Sequence, residues 1–413
     1  MAKAKVKLRK DNKGRVLQKG ESQRKIDGMY IYTYVDPYGK RCYAYSKDLF
    51  SLREKEAELM RAQLDGLDYY VGGHATINMT FDRYMSMKHN LRESTRSNYI
   101  YMFDQYVREE FGNKFLADVK YSDVKLFYLH LLNDKNLAIN TLDNVHTVLH
   151  PIFDMAVRDD IIRKNPTDGV MTEIKKTSKK NTGVRHALTV EQQKAFINAI
   201  RVSPEYVHWY PLFATLLGTG MRIGECAGLT WKNVDFDLRR IRVDHAATYY
   251  RRGEHVGFAI TDVKTEAGVR YIPMMDAVYD ALMNEYERQK RDGFSFYELD
   301  GMTGFVFTNK LGSLHNPHCV NLAIRRISED YNAREIIAAK KEKREPVIIP
   351  HFSCHVLRHT FCSRLCESDM NLKVIQEIMG HRNIETTLDI YTEVNYNKKQ
   401  DSMDELARKM DFF

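Results

Sequence analysis

The stretch Leu217-Gly218-Thr219-Gly220-Met221-Arg222-Ile223-Gly224-Glu225 decides how the last segment of this chain is interpreted. An apolar run from about Trp209 to Leu217 precedes it and predicts a buried helix. Its glycines could suggest a nucleotide-binding loop, but the stretch has neither the lysine nor the spacing of GxxxxGK[ST], and no strand-linked GxGxxG occurs. ATP use is therefore not supported, and Arg222 is left as the residue of chemical interest.

The patterns around this stretch predict an α+β fold for residues 188–413. Thr189-Val190-Glu191-Gln192 has the spacing of a capping box, and residues 278–290 have helical periodicity. Strand-like runs lie at 241–243, 258–260 and 269–272, and helices dominate again from residue 355 onward. Because the strands cluster instead of alternating regularly with helices, we expect no parallel βαβ sheet.

Two further groups of residues follow on predicted helices. His355 and Arg358 are three positions apart and project from one face, where an arginine beside a histidine can receive a phosphate. Met379-Gly380-His381 follows a helix expected over 372–378, with Gly380 in the C-cap position. Tyr391 comes ten residues after His381, which means little by itself in a chain with 25 tyrosines.

A metal site is the alternative interpretation of this region, because histidines and cysteines crowd into sixteen residues. Structural zinc sites usually draw two ligand pairs from separate knuckles, whereas residues 355–366 are predicted to form one continuous helix. Cysteines four residues apart share a face of such a helix, as core cysteines also do. We therefore expect no metal and no other cofactor. The crowded residues are His351, Cys354, His355, His359, Cys362 and Cys366.

Residues 1–70 are predicted to form a small α+β domain, a three-stranded sheet plus a helix. Alternating runs at 30–35 and 41–45 flank the turn Asp36-Pro37-Tyr38-Gly39. We expect a helix that opens with the capping box Ser51-Leu52-Arg53-Glu54 to cover the small apolar face of the sheet, which leaves tyrosines and arginines on the other face. A sheet of this size fits a DNA groove, and the alternative is that its tyrosine face is simply exposed to solvent. The candidate DNA contacts here are Lys19, Arg24 and Arg41.

Helical patterns alone follow, and they predict an all-α domain over residues 74–170. Apolar stripes at helical spacing run through 99–107, 124–131 and 142–156, the last behind an Asn140-Thr141 cap, and are core positions. Because residues 175–185 have almost no apolar content, we expect a basic linker over 171–187 that could lie along a phosphate backbone. The candidate DNA contacts in these segments are Thr95, Arg96, Asn140 and Lys179.

Length and charge limit the class of protein. A chain of 413 residues is too long for one core, so several domains are expected. Residues 1–25 hold ten basic and two acidic side chains and so account for the whole formal net charge of +8. A basic arm on a formally neutral body points to a polyanion, either nucleic acid or an anionic membrane surface.

Apolar runs and cysteines indicate the compartment. No stretch is apolar enough for a spanning helix, and no hydrophobic run follows the N-terminal charges as in a signal peptide. Six cysteines with no CxxC pair are not a disulfide framework and fit reduced thiols. We expect a cytoplasmic protein with no membrane partner.

The series Arg222, Lys264, His355-Val-Leu-Arg358, Gly380-His381 and Tyr391 resembles the tyrosine recombinase (phage integrase) family in order and spacing. The resemblance covers the third segment, which is similar to the catalytic domain of that family. The helical second segment resembles its core-binding (SAM-like) domain. In the first segment, the stretches 20–24 and 51–55 resemble the arm-binding domain of integrases from conjugative transposons of Gram-positive bacteria.

The resemblance implies a site-specific recombinase (integrase) that integrates and excises a mobile element without ATP or metal. Its intermediate would be a 3′-phosphotyrosyl link, which keeps the energy of the broken phosphodiester. The implied roles are nucleophile for Tyr391, phosphate clamps for Arg222 and Arg358, hydrogen-bond donor for His381, general base for His355 and proton donor to the leaving oxygen for Lys264.

Several parts of this interpretation stay open. Lys232 and Lys310 are alternatives to Lys264 as the proton donor to the leaving oxygen. The implied partners are double-stranded DNA with core and arm-type sites, three further copies in a homotetramer, and an excision directionality factor. Residues 400–411 are predicted to form an amphipathic helix that docks on a neighbouring subunit. A type IB topoisomerase, which would act as a monomer without an arm-binding domain, and a non-catalytic DNA-binding regulator of the same fold are the alternatives.

Overall fold

The computed structural model describes residues 9–35, 41–64, 75–177, 186–253, 255–262, 268–368 and 370–392. Its contacts divide the chain into two units, Met1–Thr182 and Gly183–Phe413. The first unit contains two separate hydrophobic cores, one under the N-terminal sheet and one among helices.

The N-terminal core lies between a three-stranded antiparallel sheet and one helix. The helix begins after Asp48, whose carboxylate accepts hydrogen bonds from the backbone N–H groups of Phe50 and Ser51. Asp48 therefore occupies the place predicted for Ser51, because its carboxylate reaches the first exposed N–H groups of the helix. The elements are β1 (Glu21–Gln23), β2 (Tyr30–Val35), β3 (Arg41–Ser46) and α1 (Leu49–Leu64).

The register of β2 against β3 shows that the predicted faces of this sheet were wrong for β2. Tyr32 pairs with Ala44, so the tyrosines of β2 share a face with the small residues of β3. Tyr30 and Tyr32 are buried under α1, whereas Tyr43 and Tyr45 lie exposed on the opposite face. The large side chains of β2 lie beside the small side chains of β3 on the same face. Alternation within either strand cannot show which residues of the two strands share a face, because this depends on the register between them.

The rest of the described first unit is helical, as predicted. Phe81 and Phe103 stack in its core with ring centroids 3.8 Å apart. The helix expected behind Asn140-Thr141 begins two residues before Thr141 and has Ala138 as its N-cap, so Asn140 lies exposed in the first turn. The elements are α2 (Ile77–Met87), α3 (Glu93–Tyr106), α4 (Tyr121–Asn133), α5 (Ile139–Arg158) and α6 (Val170–Thr177).

Helix α6 corrects the linker predicted over 171–187. Met171 and Ile174 are buried against the helical core, so residues 171–177 belong to this core. The lysines that follow suggest a linker, but the apolar side chains at this spacing form a helix because their burial on one helical face stabilises it. Residues 178–185, which include Lys179, lie outside the described residues.

The second unit is α+β, and its strands cluster as predicted. Three strands form an antiparallel sheet in the order β4-β5-β8, and β6 and β7 form a separate hairpin. The predicted strand runs fall on β5, β7 and β8. The strands are β4 (Val234–Asp235), β5 (Arg240–Val243), β6 (His245–Arg252), β7 (His255–Asp262) and β8 (Arg270–Pro273).

Helices surround the core of this unit. Helix α8 is almost wholly buried, and its Phe213 meets Phe196 of α7 edge to face at 5.3 Å. Within the described ranges, no helix is long and apolar enough to cross a membrane. The helices are α7 (Val190–Val202), α8 (Tyr210–Thr219), α9 (Ile223–Ala227), α10 (Asp276–Asp292), α11 (Pro317–Glu342), α12 (Cys354–Glu367), α13 (Leu372–Met379) and α14, residues 385–392.

Candidate active site

The turn between α8 and α9 carries the first predicted site residue. Gly220 ends α8 in the left-handed conformation, with φ of 63°. A Cβ at this position would lie 2.5 Å from Cδ1 of Phe361, so the close approach of α12 requires glycine. Arg222 follows as the N-cap of α9, and its backbone N–H donates to the Glu225 carboxylate at 2.8 Å.

Arg358 holds its charge almost completely buried on α12, with 4% of the residue exposed. Its Nη1 donates to the Gly220 carbonyl and its Nη2 to the Met379 carbonyl, each at 2.6 Å. Burial and the nearby charge of Arg222 lower the pKa of Arg358 to about 9, so the guanidinium is still protonated at neutral pH. Because a guanidinium has five N–H groups, it can hold these carbonyls and also donate to a phosphate.

Arg222 is the more accessible of the two arginines, with 46% of its side chain exposed. Its Nη1 donates to Oε1 of Glu225 at 2.8 Å, and its Nη2 donates to the Gly380 carbonyl at 3.2 Å. Arg222 and Arg358 therefore reach the carboxyl end of α13 from two different parts of the chain.

The Glu225 carboxylate is buried between Arg222 and Arg270. Nη2 of Arg270 donates to Oε2 of Glu225 at 2.8 Å, and both side chains are 5% exposed or less. Burial alone raises the pKa of Glu225, but hydrogen bonds from Arg270 and the charges of both arginines outweigh it and lower the pKa to about 2. Glu225 is therefore ionised and offsets one positive charge in a site crowded with arginine.

His381 follows Gly380, the left-handed C-cap of α13. Burial, and then the charges of Arg358 and Arg222, lower the pKa of His381 to about 4, so the ring is neutral at pH 7. Its Nδ1 lies 2.9 Å from Oγ1 of Thr387. The tautomer in which Thr387 donates to Nδ1 carries its proton on Nε2, which can donate to a phosphate oxygen.

His355 and Tyr391 are the other members of the series that the structure describes. His355 lies exposed in the first turn of α12, and its electrostatic interaction with His381 is the smallest of the causes that lower the pKa of His381. Tyr391 lies half-buried on α14 and packs against a small core formed by α12, α13 and Ile390 of α14. Thr387, which contacts the His381 ring, lies one turn before Tyr391 on the same helix.

The other predicted residues lie elsewhere. Lys264 and Lys179 are outside the described residues. The remaining predicted DNA contacts all belong to the first unit, where most are exposed on the N-terminal sheet domain or on α3 and α5. They are Lys19, Arg24, Arg41, Arg96 and Asn140, which are exposed, and Thr95, which is half-buried.

Arg270 and Thr387 belong to this cluster, and sequence reasoning did not identify either. Arg270 begins a short strand, and only the fold brings it to Glu225, 45 positions away. Nothing in its neighbourhood distinguishes it from the other arginines of the chain. Thr387 could be suspected only from its spacing of four residues before Tyr391.

Comparison with known proteins matches three domain families to successive parts of the chain. The DNA binding domain of Tn916 integrase matches residues 5–63, the N-terminal SAM-like domain of phage integrases matches 79–163, and the phage integrase family matches 186–398. The chain belongs to the phage integrase family. This integrase therefore has the predicted multidomain fold, with an arm-binding α+β domain, an all-α core-binding domain and an α+β catalytic domain.

Individual relatives of the integrase match over almost its whole length. The transposase from transposon Tn916 of Enterococcus faecalis is 31% identical over 97% of each chain, and so is the transposase from transposon Tn1545 of Streptococcus pneumoniae. A solved structure of the Tn1549 transposon integrase in complex with transposon right end DNA is 31% identical. Its TM-score is 0.69, and the match covers 81% of this chain and 100% of that chain.

These relatives confirm that this integrase is a tyrosine site-specific recombinase close to those of Gram-positive conjugative transposons. The match includes the arm-binding domain, which a type IB topoisomerase would not need. The comparisons therefore favour the recombinase over the topoisomerase and over the non-catalytic regulator.

Proposed function

We propose that this integrase inserts and excises a mobile element by cutting and rejoining double-stranded DNA through a 3′-phosphotyrosyl intermediate. The observation that carries the proposal is the convergence of Arg222, Arg358 and His381 on the carboxyl end of α13. Tyr391 lies on the helix whose Thr387 contacts the His381 ring. Several hydrogen-bond donors around one point suit the non-bridging oxygens of a phosphodiester.

The proposed cleavage step exchanges one phosphate ester for another. Oη of Tyr391 attacks the scissile phosphorus and forms a new P–O bond, while the bond from phosphorus to the 5′ oxygen breaks. His355 accepts the tyrosine proton, and Lys264 donates a proton to the departing 5′ oxygen. Because the number of phosphate esters is unchanged, attack by a different 5′ hydroxyl reseals the DNA without ATP.

Arg222 and Arg358 supply charge where the transition state develops it. Negative charge grows on the non-bridging oxygens as the attacking and leaving oxygens both bind phosphorus. A preorganised donor at such a position typically stabilises the transition state by about 3 kcal/mol. The neutral ring of His381 adds a hydrogen bond without adding charge repulsion to the two arginines.

The proposal extends to the assembly on DNA. Residues 1–70 bind arm-type sites, and the domains at 74–170 and 188–413 bind core-type sites. Four copies of the integrase assemble on DNA and exchange strands, and residues 400–411 of each copy dock on a neighbouring copy. An excision directionality factor sets the direction of the reaction. The reaction takes place in the cytoplasm on nucleoid DNA. The proposed DNA contacts are Lys19, Arg24, Arg41, Thr95, Arg96, Asn140 and Lys179.

A nicked suicide duplex tests the chemistry. The parent integrase is expected to form a covalent adduct that survives denaturing electrophoresis, because the short nicked strand diffuses away and prevents resealing. Tyr391→Phe removes the attacking oxygen and is expected to abolish the adduct while DNA binding is kept. Tyr279→Phe is the matched control, since Tyr279 is also half-buried in the second unit, and it should form the adduct normally.

Two results contradict the proposal. An adduct that persists in Tyr391→Phe means that another residue is the nucleophile. No adduct from the parent protein on a duplex that it binds specifically means that the fold acts without strand cleavage.

A further inference from the structure

Three arginines donate to three successive carbonyl groups at the carboxyl end of α13. Nε of Arg270 donates to Ile378 O at 2.8 Å, and Nη2 of Arg358 donates to Met379 O at 2.6 Å. Nη2 of Arg222 donates to Gly380 O at 3.2 Å. Carbonyls at a helix carboxyl end have no partner within the helix and carry partial negative charge, so guanidinium groups are favoured there.

Arg270 differs from the other two because its donors are used on the protein. Besides Ile378 O, it donates from Nη2 to Oε2 of Glu225 at 2.8 Å and from Nη1 to Oε1 at 3.3 Å. Nη1 also lies 3.3 Å from the Gly268 carbonyl oxygen. With 5% of its side chain exposed, Arg270 is enclosed and poorly placed to bind DNA.

Glu225 connects Arg270 to the proposed phosphate clamp. The same carboxylate accepts hydrogen bonds from the backbone N–H and the Nη1 of Arg222, both at 2.8 Å. Arg270 donates to both oxygens of this carboxylate, from Nη1 to Oε1 and from Nη2 to Oε2. Without Arg270, a buried carboxylate would rely on Arg222 and hold that guanidinium on the protein, away from a phosphate.

We infer that Arg270 is a positioning residue for strand cleavage, which sets the place of the Arg222 guanidinium by fixing Glu225 and the carboxyl end of α13. Arg270 does this without touching the DNA. The inference rests on the proposed role of Arg222 as a phosphate clamp. Position 270 requires an arginine, because a planar guanidinium can donate to both oxygens of the Glu225 carboxylate. A lysine would carry the same charge but could not make this pair of hydrogen bonds.

The absence of a side chain at Gly380 supports this inference. A Cβ on Gly380 would lie 3.0 Å from Nη1, 3.1 Å from Cζ and 3.2 Å from Cδ of Arg270. The glycine that ends α13 thus leaves room for the Arg270 guanidinium beneath the turn that carries His381.

A rescue experiment tests the inference. Arg270→Gln is expected to lower the single-turnover cleavage rate on the suicide duplex about 100-fold, a typical effect of losing one preorganised donor, with DNA affinity changed less than about 3-fold. Adding Glu225→Gln to this variant removes the buried charge that traps Arg222. The double variant should therefore cleave about as fast as Glu225→Gln alone, whereas a merely structural defect would not be rescued.

The control is Arg344→Gln, which removes another forked pair with a buried carboxylate, that of Glu335 on α11. It should leave cleavage unchanged. The inference is overturned if the double variant cleaves no faster than Arg270→Gln, if Arg344→Gln slows cleavage equally, or if binding and cleavage fall together. If Arg270→Gln does not fold, Arg270→Lys serves as the test. It keeps the charge without the fork and is expected to slow cleavage while DNA affinity is kept, and a cleavage rate equal to that of the parent would overturn the inference.

These outcomes are separate from a failure of the proposed function. If the parent protein forms no Tyr391 adduct, the chemistry itself is wrong. If the parent forms the adduct and the rescue fails, only the role of Arg270 is wrong.

Discussion

The guanidinium of Arg358 bridges two helix ends while remaining charged in a buried site. We expect Arg358→Lys to lower the cleavage rate about 100-fold or more, because an ammonium cannot span the Gly220 and Met379 carbonyls and also donate in a fork to a phosphate. Single-turnover cleavage of the suicide duplex measures this. Arg325→Lys, an exposed change on α11, should cleave normally, and equal rates for Arg358→Lys and the parent would contradict the role of the fork.

His381 makes the stability of the second unit depend on pH. Its pKa is about 4 in the folded protein against about 6.5 in an unfolded chain, so the unfolded chain binds a proton that the folded one rejects. The contribution of His381 to the free energy of unfolding is therefore fully present above about pH 6.5. It is lost as the pH falls from there toward about 4. We expect His381→Gln to lose less unfolding free energy than the parent between about pH 7.5 and about pH 5.

Urea unfolding followed by tryptophan fluorescence measures this difference, because both tryptophans, Trp209 and Trp231, lie in the second unit. Other buried histidines contribute equally to the parent and the variant, so they cancel in the comparison. His318→Gln, an exposed change on α11, should keep the parent's loss. An identical loss in His381→Gln and the parent would mean that His381 is not held neutral by its surroundings.

At the scale of elements, the carboxyl end of α13 accepts hydrogen bonds from Arg222, Arg270 and Arg358. Gly380 and Gly301 both have positive φ, 62° and 81°, but a Cβ on Gly301 meets nothing within 4 Å. Each glycine-to-alanine change should lower stability by about 1 kcal/mol, since left-handed backbone costs any residue with a Cβ. Only Gly380→Ala should also slow cleavage, because the new Cβ would displace the Arg270 side chain, which lies 3.0 Å away at Nη1.

Thermal unfolding and single-turnover cleavage, measured on both variants, separate the two effects. If Gly301→Ala slows cleavage as much as Gly380→Ala does, general destabilisation explains the loss. If neither slows cleavage, the contact between Gly380 and Arg270 is unimportant for positioning.

Local patterns predicted the elements better than their faces or partners. Helix periodicity predicted the helix that carries Arg358, and the C-cap glycine predicted the turn before His381, because those signals act within one or two turns. The buried face of β2 was predicted wrongly, since the pairing of Tyr32 with Ala44 depends on register between strands. Arg270 was missed for a similar reason, because its partner Glu225 is distant in sequence.

At the scale of the whole molecule, charge and chemistry are separated along the chain. The first 25 residues account for the net charge of +8, while the rest, formally neutral, contains the arginine cluster. In the proposed mechanism the arginines around Glu225 act at one phosphate, whereas exposed lysines neutralise many. On this proposal we expect the first segment to contribute affinity for DNA and the last segment to contribute cleavage.

This separation predicts how salt acts on binding to each kind of site. Affinity for an arm-type duplex should fall steeply with salt, by about 0.9 in log K per unit of log salt for each phosphate contacted, and removal of residues 1–70 should abolish it. Affinity for a core-type duplex should keep its salt slope after the same removal. Titrations at several salt concentrations measure both slopes. Replacing Lys3, Lys5 and Lys7, which precede the described residues, with glutamine should lower only the arm-site slope. A changed core-site slope would contradict the division of labour.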